Sequence, residues 1–189
     1  MLNIAVLAED QQTDKLADAL SQVGHRCLPV SFSNPLLPWL QLTQPDMLVI
    51  SVAVPADTLL ADLHAVNRQA PLPVVLFTKT CLTEHYSAVV DAQVSAFVVD
   101  GLSYPRLPGI IQLALARFSQ LQALKNALEE ARGQLEDRKQ IDRAKAILIK
   151  TRNFTENDAY HTLRKLAMDR NVTLGEMARN VIAMADLLK

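Results

Sequence analysis

The residues able to do chemistry in this chain fall into two groups. The first is a set of acids and hydroxyls at the ends of short apolar runs: Glu9 and Asp10 after Asn3–Leu7, Ser51 closing the run from Asp46, Thr78 closing the run from Pro73, and Asp100 after Ala96–Val99. Carboxylate oxygens can hold a hard cation, and a serine hydroxyl is a poor nucleophile without an adjacent base. The second is a dense basic set, Arg138, Lys139, Arg143, Lys145, Arg152, Arg164, Lys165 and Arg170, with one aromatic ring among them at Tyr160. Cations at that density suit a polyanion, and a ring among them offers a stacking face.

Other chemistries find no support. The chain has five glycines, none in a GxGxxG or GxxxxGK arrangement, so no glycine-rich phosphate loop is expected. His25, His64, His85 and His161 lie far apart, and no Ser/His/Asp set has usable spacing. The expectation is a protein that is not an enzyme and carries no cofactor or resident metal. Cys27 and Cys81 are too few for a disulfide framework and sit in apolar contexts, as structural thiols in a reduced cytoplasm would. No apolar run approaches the ~18 residues of a membrane span, and the N-terminus turns acidic without the marks of a signal peptide. The net charge of −1 hides an asymmetry. Residues 1–117 hold six Lys/Arg against ten Asp/Glu, and residues 132–189 hold twelve against eight. An acidic front and a basic back point to a switch module and a polyanion-binding module.

Positioning the first group falls to an alternation of short apolar runs and amphipathic stretches. Asn3–Leu7, Cys27–Phe32, Asp46–Ser51, Pro73–Thr78 and Ala96–Val99 read as strands. Between them, Leu16, Ala17, Leu20 and Val23 recur at helical spacing and stop at Gly24, a C-cap residue. Leu36–Leu42, Thr58–Gln69 and Glu84–Gln93 supply three more helices. This alternation predicts right-handed βαβ units and a buried parallel sheet, an α/β flavodoxin-like domain. Polar residues at the carboxyl ends of its strands then share one edge.

The second group is positioned by a helical stretch from Tyr104 to Arg152. A continuous helix over 107–150 would be ~65 Å long. Leu121, Leu124, Leu128, Ala131 and Leu135 alternate by three and four residues, the seam of a coiled coil. The reading is a parallel homodimer, with Ile111, Leu115 and Phe118 available to extend the contact. After Leu135 the apolar face moves to Ile141, Ala144 and Ile147/Leu148. Asn153-Phe154 breaks the helix, and Thr155 with Asp158 forms a near capping box for a helix carrying Ala159, Leu163, Leu166 and Ala167. Thr173-Leu174-Gly175-Glu176 opens a last helix whose inner face is read as Met177, Val181, Met184 and Leu188. The expected organisation is an α/β domain over 1–118, a coiled-coil linker over 119–136 and an all-α three-helix module over 137–189, with Gly133 the place for any bend.

Two resemblances extend this reading. Residues 3–104 resemble the receiver domain of a response regulator through Pro45-Asp46, Pro55 four residues after Ser51, and Thr78 at the end of the fourth strand. The family's phosphoacceptor Asp falls on Ser51 and its invariant Lys on Asp100; its acidic pair aligns loosely with Ala8-Glu9 or Glu9-Asp10. The resemblance therefore implies a degenerate receiver pocket of Glu9, Asp10, Thr78 and Asp100 around Ser51. Phosphoryl transfer to a protein needs a carboxylate nucleophile, a hard cation and a positive group near the developing charge. A pseudo-receiver is expected. Residues 138–188 resemble an ANTAR domain, the RNA-binding antiterminator module named after AmiR and NasT, through Arg138-Lys139, Ile141, Ala144-Lys145, Leu148, Ala159-Tyr160, Leu163-Arg164, Ala167-Met168, Leu174, Ala178 and Val181-Ile182. Together with Val99-Asp100-Gly101-Leu102 and Ala114–Phe118, the chain is similar to NasT-type regulators. That similarity implies transcription antitermination on hairpin leader RNA, control of nitrate or nitrite assimilation genes, and a ligand-sensing partner protein in place of phosphorylation. Arg138, Lys139, Arg143, Lys145, Tyr160, Arg164 and Lys165 are the expected RNA-binding set, since RNA loops are held by cations on phosphates and by stacking on splayed bases. A protein-binding adaptor and a DNA-binding regulator remain as rival readings.

Overall fold

The computed structural model describes the chain except for residues 9, 34, 84, 101, 102, 188 and 189 and the side chains of Asp10, Gln11 and Gln12. Glu9 and Leu188 therefore lie outside the described residues, as does the side chain of Asp10. The chain divides into two compact units, Met1–Gln122 and Ala123–Lys189.

In the first unit, strands β1 (Asn3–Ala8), β2 (Arg26–Val30), β3 (Met47–Val52), β4 (Val74–Thr78) and β5 (Ala96–Val99) alternate with helices α1 (Asp10–Gln22), α2 (Leu36–Thr43), α3 (Asp57–Gln69) and α4 (His85–Asp91). The strands pair in parallel in the order β2-β1-β3-β4-β5, the flavodoxin-like order. Residues of β3 and β4 are buried throughout, which explains why these strands read as continuous apolar runs. Alternate side chains divide between two cores. Leu48, Ile50, Val52 and Leu76 meet Leu36, Leu40, Leu60, Leu63 and Val89 of α2, α3 and α4. Met47, Val49, Val75 and Phe77 meet Leu16 and Leu20 of α1 and Leu107, Ile111 and Ala114 of the following helix. Gly24 has φ +83 and its N–H donates to the Ser21 carbonyl at 3.0 Å, so it ends α1 as expected. Partly buried Cys27 packs on the second of these cores, and burial pushes its thiol pKa up.

After a 3-10 turn over Tyr104–Arg106, helix α5 (Leu107–Arg152) runs for 46 residues and passes through Gly133 as helix. Its later part belongs to the second unit, with α6 (Glu156–Asp169) and α7 (Leu174–Leu187). Ala144, Leu163, Ala167, Met177, Ala178 and Ile182 form the core of that unit. Ala144, Ala159 and Ala178 are fully buried; their small side chains allow the helices to approach closely. The junctions follow the local sequence. Asn153 and Asn171 take positive φ values of 55 and 52, which asparagine tolerates better than most residues. Thr155 Oγ1 accepts from the Asp158 N–H at 3.2 Å and the Thr155 N–H donates to Asp158 Oδ2 at 3.2 Å, a complete capping box. Thr173 Oγ1 accepts from the Glu176 N–H at 3.2 Å.

Two expectations about packing are corrected. Met184 is 57% exposed, and Ala178 and Ile182 fill the inner face of α7 beside Met177. The buried stripe follows the 3.6-residue period through 174, 178 and 181/182, which carries Met184 out to solvent. Ile111 is 0% exposed within the core of the first unit, so it is not available to extend a dimer contact. Among the described residues, no helix is long and apolar enough to cross a membrane.

Candidate nucleic-acid interface

Ser51 and Thr78 lie on neighbouring strands at the carboxyl edge of the sheet, and both are 4% exposed. Ser51 pairs with Ala8 and Phe77, whereas Thr78 pairs with Val52 and Val99. The one-residue offset sends their side chains to opposite faces, because successive residues of a strand alternate. Thr78 Oγ1 is buried without a hydrogen-bond partner. Asp100 donates its N–H to the Thr78 carbonyl at 2.8 Å and takes φ 49, so this edge carries an acidic residue. Of the histidines, His85 places Nε2 3.5 Å from Asp57 Oδ1, and its Nδ1 is buried without a partner.

In the second unit the basic set does not form one patch. Arg138, Asp142, Lys145, Ile149 and Arg152 recur at alternating four- and three-residue intervals on α5, one stripe of the helix. Lys145 anchors it. Its Nζ lies 2.8 Å from Asp142 Oδ1 and 3.0 Å from Glu156 Oε1, and its side chain is 16% exposed. Hydrogen bonds to Asp142 and then Glu156 raise the lysine pKa, and the Lys145 hydrogen bond lowers that of Asp142. The Glu156 contact brings α6 alongside the stripe. Asn157, Tyr160 and Arg164 share one face of α6, and Tyr160 is 39% exposed. Lys145, Glu156, Asn157 and Tyr160 surround an open cleft of about 380 Å³. The cleft offers a ring, an amide, and an ammonium group held between two carboxylates.

The other predicted cations lie elsewhere. Arg143 is on the opposite flank of α5, 3.5 Å from Asp186 of α7. Lys139 shares that flank by four-residue spacing and lies 3.9 Å from Glu136. Lys165 follows Arg164 directly and therefore sits ~100° around α6 from it. Lys145 and Tyr160 thus share the cleft, Arg138 continues the α5 stripe of Lys145 and Arg164 the α6 face of Tyr160, while Lys139, Arg143 and Lys165 lie on other faces.

Sequence reasoning missed three residues that hold the scaffold. Arg179 Nη1 lies 2.6 Å from Asp137 Oδ1, tying α7 to α5. The same carboxylate rests over buried Gly175, where an added Cβ would collide with it. Thr173-Leu174-Gly175-Glu176 was legible only as a helix start, because Asp137 is remote in sequence. Asn157 was also passed over as a lining residue of the cleft.

The predicted seam residues are uncovered in the single chain. Leu124, Leu128 and Leu135 are 67%, 51% and 61% exposed, and Leu121 is half-buried.

Residues 129–182 match the family model of the ANTAR domain. The C-terminal module is an ANTAR domain. Over nearly its full length, the chain is similar to the transcriptional regulatory protein PdtaR of Mycobacterium tuberculosis, 26% identical over 180 residues that cover 94% of this chain and 88% of that protein. It is also similar to the nitrate regulatory protein of Klebsiella oxytoca, 33% identical over 78 residues, 41% of this chain but 20% of that one. The first unit shares its fold with solved receiver domains. One is the signal receiver domain of a modulated diguanylate cyclase from Desulfovibrio desulfuricans G20, with TM-score 0.54 and 14% identity, covering 64% of this chain and 98% of that one. Another is the receiver domain of RstA from Klebsiella pneumoniae, with TM-score 0.52 and 13% identity, covering 60% and 97%. The chain thus carries a receiver-like fold ahead of an ANTAR domain. The basic stripe and the cleft both belong to the ANTAR domain.

Proposed function

We propose that this regulator acts by transcription antitermination in the cytoplasm, its ANTAR domain binding hairpins of a nascent leader RNA so that an overlapping terminator hairpin does not form. One observation carries the reading. Lys145 on α5 lies with Glu156, Asn157 and Tyr160 of α6 around an open cleft that takes in the Tyr160 ring, while Arg138 and Arg152 continue the stripe of Lys145 along α5 and Arg164 shares the α6 face of Tyr160. Cations for phosphates beside an accessible aromatic and an amide are what an unpaired RNA loop requires. The exposed leucines from Leu124 to Leu135 supply the seam of a parallel homodimer, which presents two ANTAR domains to two hairpins.

Control is assigned to a ligand-sensing protein partner. Ser51 replaces the carboxylate nucleophile and is buried, and Asp100 replaces the cation. Similarity to the nitrate regulatory protein favours nitrate or nitrite assimilation genes as the target. The test is binding of the full-length chain to two-hairpin leader RNA, a scrambled RNA and duplex DNA across a salt series. The expected result is preference for the hairpin RNA with affinity falling as salt rises. Equal binding to scrambled RNA, or stronger binding to duplex DNA, refutes it.

A further inference from the structure

The seam and the charged stripe are one continuous row of positions. Leu124, Leu128, Ala131 and Leu135 alternate by four and three residues, and Arg138, Asp142, Lys145, Ile149 and Arg152 continue the alternation without a break. Only the chemistry changes, from apolar to charged. A strict seven-residue row drifts by ~20° per heptad on a straight helix, so the stripe stays on the seam side well past Lys145. The hydrophobic face of the ANTAR domain itself is displaced by one residue, through Ile141, Ala144 and Leu148, or ~100° around the helix. Helix α6 therefore reaches the row at Lys145, while Arg138 and Asp142 remain exposed.

In a parallel two-stranded coil each seam position faces its own counterpart. Leucines meet as far as Leu135. Beyond it Arg138 would oppose Arg138 and Asp142 would oppose Asp142, and such like-charge layers end the close contact. We propose that in the dimer the two charged stripes, with the Tyr160 clefts beside them, face each other across the two-fold axis and line a cleft made by both copies in which the RNA is held. This rests on the dimer and RNA readings above and adds the direction in which the RNA face points.

Cysteine crosslinking of the full-length chain under mild oxidation tests each layer separately, with the unsubstituted chain as the control for Cys27 and Cys81. Leu135→Cys reports the dimer. Arg138→Cys and Asp142→Cys report the continuing row, and Lys139→Cys reports the opposite flank. The expected result is a graded order, with crosslinking fastest at 135, slower at 138 and 142 where the two copies part, and slower again by at least about tenfold at 139, since a disulfide needs Cβ atoms about 4 Å apart. Crosslinking at 135 and 139 but not at 138 or 142 overturns the proposal while leaving the dimer intact; no crosslinking at 135 removes the dimer itself. Hairpin RNA enriched on the full-length protein from a randomised-loop pool should then slow crosslinking of Asp142→Cys several-fold and leave Leu135→Cys unchanged. RNA that slows neither overturns the shared cleft. Failure to enrich any hairpin overturns the RNA reading beneath it.

Discussion

At the strand-end edge of the receiver-like unit, Ser51 and Thr78 are each 4% exposed and turned to opposite faces, with the Asp100 backbone closing the ladder beside them. On the ANTAR domain, Tyr160 is 39% exposed and Lys145 bridges two helices at the rim of an open cleft. The two regions differ in what their scaffolds still serve. A buried parallel sheet is held by apolar packing, so the chemistry of its edge can vary while the fold remains. The helical unit has a smaller core, and here an ion-paired lysine at the cleft also joins α5 to α6. Under the proposed function, binding chemistry and scaffold overlap in the ANTAR domain and are separable in the front unit.

Substitutions test that contrast. The largest effect is expected from Arg138→Glu with Arg164→Glu. Both side chains are exposed and no other part of the fold is assigned to them, so RNA affinity should fall by about 100-fold or more and the salt dependence should become shallower. Fluorescence anisotropy measures both, and unchanged circular dichroism confirms the fold. Retained affinity would mean that the exposed stripe is not the interface. Gly175→Ala comes next. The new methyl meets the Asp137 carboxylate, and overpacking of this kind costs about 1–3 kcal/mol, read as a lower calorimetric Tm of the second unit. Adding Asp137→Ala should restore part of it, and no recovery would sever the link between those residues.

Tyr160→Ala should weaken RNA binding by about 1–3 kcal/mol, the usual worth of one base–aromatic stack, with Tyr160→Phe close to the parent. A smaller effect follows from pH. Hydrogen bonds from Thr155 depress the Asp158 pKa below 3.8. The contribution of the cap is therefore complete above that value and fades as pH falls through the depressed one. Lys145 is raised above 10.5, so its contribution is complete below that pH and fades as pH climbs through the raised value. Acid and alkaline melts monitored by helical signal should show both edges, and Thr155→Ala should blunt only the acid one. The smallest effect is a null result. Acetyl phosphate with Mg²⁺ should leave the intact mass unchanged, and Ser51→Asp alone should not restore an adduct while Asp100 remains. A stable adduct on the parent chain would place the front unit back among phosphorylated receivers.

Much of the fold was legible because it is governed locally. Apolar runs mark buried parallel strands, Gly24 marks the end of α1, and Thr155 with Asp158 marks the start of α6, each acting within a few residues. The candidate site was legible in composition but not in arrangement. Arg143 and Lys145 are two residues apart, yet one pairs with Asp186 of α7 and the other with Glu156 of α6, and only packing chooses those partners. Met184 was misplaced because two adjacent helical faces of α7 are both apolar, and the packing of α5 and α6 decides which is covered.

From the sequence alone come the alternation that requires a parallel sheet, a hydroxyl at Ser51 and an acid at Asp100 at the ends of the third and fifth strands, and the three- and four-residue spacing of apolar residues from Leu121 to Leu135. These are properties of residue type and period. Tertiary structure alone decided which cations share a face with Tyr160, why Gly175 sits beneath Asp137, and that Ile111 is enclosed while Leu124, Leu128 and Leu135 are not. Those depend on contacts between residues far apart in the chain, and local period carries no record of them.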